Sequence, residues 1–167
     1  MLSTFLSDMN STSGLSDIDG SSSSMMTPLI LMLFIKLFGE DAANNLNQSV
    51  PQGAPVNGRI TQESHVGHVA VDFGVPVGTS IKATMGGKVT YAGWNNEGYG
   101  NLVIVENGNY KTYYAHLSKI PVKVGQSIEE GSVIGLSGNT GNSTGPHLHY
   151  EIRKNGVPIN PLTTFVE

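Results

Sequence analysis

Short β-prone segments separated by glycine, asparagine or proline fill the chain from Arg59 onward. No stretch after residue 57 keeps a helical period over ten residues. The β-prone segments are residues 69–71, 81–83, 88–91, 102–105, 111–114, 132–134 and 147–152. This pattern predicts an all-β domain over residues 58–167, an antiparallel sandwich or a barrel-like fold.

Two seven-residue segments of this region resemble each other. Residues 75–81 and 122–128 agree at five of seven positions in the pattern Val-x-Val-Gly-x-Ser-Ile, and a turn containing glycine and another β-prone stretch follow each copy. The similarity predicts a duplicated β-motif.

The N-terminal part of the chain is a different kind of sequence. Residues 1–50 hold five acidic residues and one basic residue, whereas residues 51–167 hold eight of each, so the net charge of −4 lies in the N-terminal part. Residues 1–24 are rich in serine and poor in large apolar residues, which predicts disorder. Residues 40–57, rich in asparagine, glycine and proline, are predicted to be a linker.

An apolar segment over residues 25–39 predicts a short helix. Thr27 suits the N-cap, Pro28 the first helical position and Gly39 the C-terminal stop. A helix from residue 28 to residue 38 would be about 16 Å long, roughly half of what a bilayer requires.

No basic residue precedes Lys36 and no small-residue cleavage site follows the apolar segment, so the sequence contains no recognisable signal peptide. The helix is expected to pack on the domain or on another subunit, to dock on a partner, or to lie on a membrane surface, with docking preferred.

Composition restricts the possible chemistry. The chain has no cysteine, which excludes thiol catalysis, disulfides and cysteine-ligated metal sites. A weakly acidic chain with only 13% charged residues also argues against nucleic-acid binding, which requires a basic surface. Histidine and carboxylate side chains must therefore carry the chemistry.

Three of the five histidines, together with one aspartate, have a spacing that favours a metal site. His68 lies four residues before Asp72, and His147 lies two before His149. Residues an even number apart on a strand face the same side, so both pairs can meet on one face of a sheet. Two or three imidazoles with one carboxylate suit Zn²⁺, and a catalytic site would use three ligands and leave one position for water.

Five motifs in this chain together resemble the M23 peptidases, the lysostaphin- and LytM-type zinc endopeptidases of bacterial cell walls. The resemblance spans residues 57–162. The motifs are His68-Val-Ala-Val-Asp72, Tyr114-Ala-His-Leu117, Ser137-Gly-Asn-Thr-Gly141, Gly145-Pro-His-Leu-His-Tyr-Glu-Ile152 and Gly156-Val-Pro-Ile-Asn-Pro161.

The resemblance implies a role for each matched residue. His68, Asp72 and His149 would bind one zinc ion, and His116 and His147 would be catalytic histidines that do not bind it. The site would lie in a groove of a compact antiparallel β-fold. The reaction would be hydrolysis of peptide bonds in the stem peptide or cross-bridge of peptidoglycan. The enzyme would act at the cell wall, outside the cytoplasm, either secreted or associated with a phage virion.

The chain departs from the family pattern at two places. Ala70 stands where the family usually has glycine, and no tyrosine shortly precedes His68. His65 matches no role and is expected at the surface or the groove edge. Tyr114 is predicted either to line the groove, on the face it would share with His116, or to pack in the core. Trp94, in a predicted loop over residues 93–100, is expected to form a groove wall or a local packing contact.

Two other functions compete with hydrolysis. A non-catalytic relative would bind peptidoglycan or activate another hydrolase, but such members typically lack a metal ligand and this chain lacks none. A lipoyl- or biotinyl-like carrier would explain the Val-x-Val-Gly segments. It would need a lysine at a hairpin tip, where only Lys88 is a candidate, and no histidine cluster.

Overall fold

The computed structural model describes residues 28–39 and 48–165. The disorder predicted for residues 1–24 and the N-cap predicted at Thr27 lie outside this part of the chain. Helix α1 comes first and a 3-10 helix comes last, at Pro161–Thr164. Helix α1 spans Pro28–Phe38. The strands that follow it are β1 Arg59–Gln62, β2 Val71–Gly74, β3 Ser80–Lys82, β4 Gly87–Asn95, β5 Gly100–Asn107, β6 Tyr110–Ala115, β7 Ser127–Ile128, β8 Val133–Leu136, β9 Leu148–Lys154 and β10 Val157–Ile159.

Within the described residues, the strands form two antiparallel sheets. The larger sheet has eight strands in the order β1-β2-β9-β6-β5-β4-β7, with β10 paired to β9, and β3 and β8 form the smaller one. Strand β9 is central because it pairs with both β2 and β6. The predicted antiparallel all-β fold with a short N-terminal helix is confirmed.

Strand β9 shows how the sequence positions one face of the sheet on the core. Leu148, Tyr150 and Ile152 are fully buried in the apolar core, where each contributes about 1.5–3 kcal/mol. The residues between them belong to the opposite face by strand alternation. That opposite face begins with His149.

The two similar segments adopt the same local structure. Gly78 and Gly125 both have positive φ angles, of 90° and 87°. In each copy, the residue after the glycine donates a backbone hydrogen bond to the carbonyl three residues before it, at 3.3 and 3.1 Å. This is the geometry of a type II turn, which requires glycine at its third position. The duplication itself stays a prediction.

Residues 48–57 pack on the sheets, although residues 40–57 were predicted to be a linker. Pro55 and Val56 are buried, and the backbone of Gln52 donates to the Thr84 carbonyl at 2.8 Å. Gly53 likewise donates to the carbonyl of Thr164 at 3.0 Å. The packed domain therefore starts before residue 58.

Helix α1 exposes most of its described apolar side chains. Leu29, Met32 and Leu37 are each at least 60% exposed. Gly39 ends the helix with a φ of 85°, and its backbone N–H donates to the Ile35 carbonyl at 2.9 Å. Among the described residues, no helix has the length and apolarity needed to span a membrane.

Candidate active site

A row of residues across three neighbouring strands forms the centre of the candidate site. Asp72 on β2 is the direct register partner of His149 on β9, and His149 is in turn the partner of Ala115 on β6. His116 follows Ala115 directly, so the sheet itself brings Asp72, His149 and His116 together.

His68 reaches this row from outside the sheet. A strand from His68 to Asp72 was expected from the sequence, but this is wrong because β2 begins at Val71. His68 instead closes a tight turn with His65, in which each backbone N–H donates to the other residue's carbonyl, at 2.8 and 2.9 Å. Gly67, with a φ of 91°, makes this turn possible.

His68, Asp72 and His149 form a group able to hold a metal ion. One ligand atom from each lies within 4.8 Å of those of the other two. Asp72 Oδ1 is 3.0 Å from His149 Nδ1, and Asp72 Oδ2 is 3.4 Å from His68 Nε2. His68 Nε2 is buried and has no hydrogen-bond partner within the described part of the chain. An unpartnered imidazole nitrogen beside a carboxylate fits a metal ligand.

The electrostatics of the group also fit a cation. Burial alone would lower the pKa of His149, but hydrogen bonds to Asp72 and Glu151 outweigh it and raise that pKa to about 9. Burial would raise the pKa of Asp72, but the hydrogen bond from His149 and the neighbouring histidines lower it. The site thus stabilises positive charge at neutral pH.

His116 is held in a strained conformation beside the group. Its φ of 59° lies in the left-handed region, which is uncommon for a residue other than glycine. Its Nδ1 is 2.7 Å from the Thr140 carbonyl oxygen. A carbonyl only accepts, so Nδ1 carries the proton and Nε2 is the free basic nitrogen. Burial lowers the pKa of His116, which keeps the ring neutral at pH 7.

His147 is held in the same way by its own loop. Its Nδ1 is 2.8 Å from the Gly145 carbonyl and 3.1 Å from the Ser143 hydroxyl, which leaves Nε2 facing Asp72 Oδ2 at 3.9 Å. The rings of His147 and His116 have their centroids 4.6 Å apart. Two imidazoles with free Nε2 atoms therefore stand next to the three potential ligands.

An open groove of about 540 Å³ runs over these residues. Its walls come from Gln62, residues 67–69, residues 97–99, residues 142–144 and His147. A separate depression of about 690 Å³, lined among others by Tyr110 and Glu130, contains no histidine. The chemistry of the described residues therefore favours the groove as the functional cavity.

Of the two positions predicted for Tyr114, packing in the core is correct and lining the groove is wrong. Tyr114 is completely buried, and its hydroxyl is 3.0 Å from the Thr84 hydroxyl in the core. The even spacing to His116 does not place both on one face, because β6 ends at Ala115 and the left-handed backbone of His116 breaks the alternation.

Trp94 lies on strand β4 and not in a loop. Its side chain is 57% exposed, and its indole N–H donates to Asn96 Oδ1 at 2.8 Å. The groove is lined by the turn that follows Trp94 and not by Trp94 itself. A contact between Trp94 and substrate stays a prediction.

Sequence reasoning missed Glu151 and Tyr99. Glu151 is 3.0 Å from His149 Nε2, and Tyr99 donates its hydroxyl to Glu151 at 2.7 Å. Burial would raise the pKa of Glu151, but hydrogen bonds from His149, Tyr99 and Arg153 lower it to about 2. The signal was available, because Glu151 lies an even two residues beyond His149 on one strand. His65 is exposed and does not line the groove.

Comparison with known proteins identifies related sequences. The sequence model of peptidase family M23 matches residues 66–161. The chain is 49% identical over 96 residues to the peptidoglycan DD-endopeptidase ShyA of Vibrio cholerae. The aligned region covers 57% of this chain and 22% of ShyA. It is 47% identical over 95 residues to the glycyl-glycine endopeptidase ALE-1 of Staphylococcus capitis. That aligned region covers 56% of this chain and 26% of ALE-1. The chain thus matches about a quarter or less of the length of these relatives.

Solved structures share the fold. A zinc-containing peptidase from Vibrio cholerae superposes with a TM-score of 0.62 at 34% identity, over 69% of this chain and 40% of that one. The antimicrobial peptidase lysostaphin from Staphylococcus simulans superposes with a TM-score of 0.59 at 35% identity, over 68% of this chain and 51% of lysostaphin.

Proposed function

The chain belongs to peptidase family M23, and on that premise we propose that it hydrolyses peptide bonds of bacterial peptidoglycan with the help of one zinc ion. The bond would lie in the stem peptide or the cross-bridge, and the enzyme would act at the cell wall, outside the cytoplasm. Two relatives support this substrate class, because one is named a peptidoglycan DD-endopeptidase and the other a glycyl-glycine endopeptidase.

His68, Asp72 and His149 would hold the zinc ion. Their donor set of two imidazoles and one carboxylate is typical of catalytic zinc, in which three protein ligands leave one position open. When bound there, zinc would act as a Lewis acid on the scissile carbonyl and would lower the pKa of water to about 7.

His116 would act as the general base. Because the Thr140 carbonyl holds the proton at Nδ1, Nε2 of His116 is free to accept a proton from the attacking water. Its lowered pKa keeps this nitrogen unprotonated at neutral pH. His147, when it carries a second proton at Nε2, would stabilise the developing oxyanion or deliver that proton to the leaving amine.

The convergence of the three potential ligands with His116 and His147 in one open groove carries this proposal. The buried, unpartnered Nε2 of His68 adds to it, because a buried nitrogen without a partner is costly unless it binds something. Docking of helix α1 on a partner or a membrane surface stays a prediction, as does the delivery of the enzyme to the wall.

Alanine variants test the proposed roles. His149→Ala should lose both zinc and hydrolysis, whereas His116→Ala should keep zinc and lose hydrolysis. His65→Ala is the matched control and should keep both. The measurements are the zinc content of the purified proteins and mass spectrometry of defined muropeptides after digestion, which also identifies the bond cleaved.

Near-normal turnover by His116→Ala would contradict the role of His116. Binding of muropeptides by the zinc-loaded wild type without any product would favour a non-catalytic binding module instead.

A further inference from the structure

The strand face that carries His149 continues with two charged residues that the proposed chemistry does not use. Glu151 and Arg153 follow at even spacing on β9, so all three side chains share the groove side of the sheet. Glu151 is only 1% exposed and has no place among the proposed ligands or bases. A buried carboxylate needs strong partners, and those partners indicate what it does.

The first partner of Glu151 is His149. Glu151 Oε1 lies 3.0 Å from His149 Nε2, while His149 Nδ1 lies 3.0 Å from Asp72 Oδ1. A carboxylate only accepts hydrogen bonds, so Nε2 must carry a proton to donate to Glu151. Without a metal ion, Nδ1 likewise carries a proton towards Asp72, so Nδ1 is the nitrogen at which a metal ion beside Asp72 and His68 would replace the proton.

The remaining partners prevent Glu151 from turning away. The Tyr99 hydroxyl donates to Oε1 at 2.7 Å, and Arg153 donates to Oε2 through two nitrogens at 2.9 and 2.7 Å. Arg153 also donates to the Tyr99 hydroxyl at 3.1 Å, and its guanidinium lies 4.3 Å from the centre of the Tyr113 ring. Both carboxylate oxygens are thus fixed by donors that are themselves fixed.

We propose that Glu151 is a positioning residue, which holds the proton of His149 at Nε2 and thereby directs Nδ1 at the metal. This inference rests on the proposed function, in which His149 is a zinc ligand. Hydrogen bonds of this kind fix the tautomer and ring orientation of metal-binding histidines, and their loss typically costs about 10–100-fold in metal affinity.

Glu151→Gln is the sharpest variant because it changes hydrogen bonding and hardly changes shape. The two donors of Arg153 attract the amide oxygen of the new side chain, which turns its NH₂ group towards His149 Nε2. That NH₂ group needs an acceptor, so it favours the tautomer with the proton on Nδ1, the nitrogen that the metal requires. Glu106→Gln, on strand β5 and paired with Lys111 at 3.0 Å, makes the same substitution away from the site.

Two measurements on the full chain test the proposal. Competition with a chromophoric chelator at fixed pH gives the zinc affinity, and nitrogen-15 NMR of the zinc-loaded protein shows which nitrogen of His149 carries a proton. We expect a proton on Nε2 in the wild type, a loss of about 10–100-fold in zinc affinity in Glu151→Gln, and no change in Glu106→Gln.

Equal zinc affinity in Glu151→Gln and wild type would overturn the inference and leave the proposed function intact. Wild-type protein without any zinc affinity would overturn both. If Glu151→Gln does not fold, the wild-type spectrum still decides, because a zinc-bound His149 without a proton on Nε2 would contradict the role given to Glu151.

Discussion

Replacing Gly141 with alanine tests how the loop over residues 138–145 positions His116. Gly141 has a φ of 74°, and a Cβ atom there would lie 2.5 Å from the Gly98 carbonyl oxygen and even nearer to the Gly100 backbone nitrogen. The loop must shift by about 0.9 Å to bring the contact with Gly98 to the 3.4 Å of ordinary contact. The left-handed conformation costs alanine about 1–2 kcal/mol in addition.

The shift would act on His116 through the adjacent Thr140. The Thr140 carbonyl holds His116 Nδ1 at 2.7 Å, and its hydroxyl oxygen joins the backbones of Asn101 and Leu117 at 3.0 and 2.9 Å. Displacement of a catalytic group by about 1 Å can cost roughly 100-fold in rate. We therefore expect Gly141→Ala to lose about 10–100-fold in kcat while its zinc content stays unchanged.

The assay is hydrolysis of a defined muropeptide at saturating zinc, with zinc content and urea unfolding measured on the same samples. Gly125→Ala is the matched control, because its φ of 87° carries the same left-handed cost while no atom lies within 4 Å of a Cβ atom there. It should keep the wild-type kcat. Wild-type turnover by Gly141→Ala, together with the expected fall in unfolding free energy, would refute the link between this loop and His116.

Two further predictions concern proton release and the core. Because the pKa of His149 is about 9 in the metal-free protein, zinc must displace a proton from Nδ1, and its Kd should fall about tenfold for each pH unit between about 7 and 9. Calorimetry in buffers of different ionisation enthalpy counts that proton. Zinc binding without the release of a proton would contradict the assignment. Thr84→Val should lower the unfolding free energy by about 1–3 kcal/mol, because the buried Tyr150 hydroxyl loses its partner at 2.7 Å. An unchanged urea midpoint would contradict this.

The sequence predicted the strands well because their chemistry is local. Alternating apolar residues and glycine-rich turns predict strand β9 and its core face without knowledge of its neighbours. The same alternation, continued from His149, would have placed Glu151 and Arg153 on the groove face.

Other parts of the site could not be read from the sequence. The groove position considered for Tyr114 is wrong because strand alternation holds only within a strand, and no residue near His116 signals its φ of 59°. The contribution of Thr140 is a backbone carbonyl, which every residue type possesses. Such backbone partners depend on which loops come into contact across the sheet. The sequence pattern of one chain does not predict those contacts.

The partners of each Nδ1 atom provide a physical reason for the proposed division among the histidines, which spacing alone left open. In His116 and His147, Nδ1 faces a backbone carbonyl, so the proton stays there and Nε2 remains a base in the groove. In His149, Nδ1 faces the carboxylate of Asp72 and Nε2 faces that of Glu151. The two carboxylates beside His149 favour a metal cation in place of the proton at Nδ1. The backbone carbonyls beside His116 and His147 carry no charge and do not. The neighbouring acceptors therefore favour His149 as the metal ligand and His147 as a histidine that does not bind the metal, although only one residue separates them on the chain.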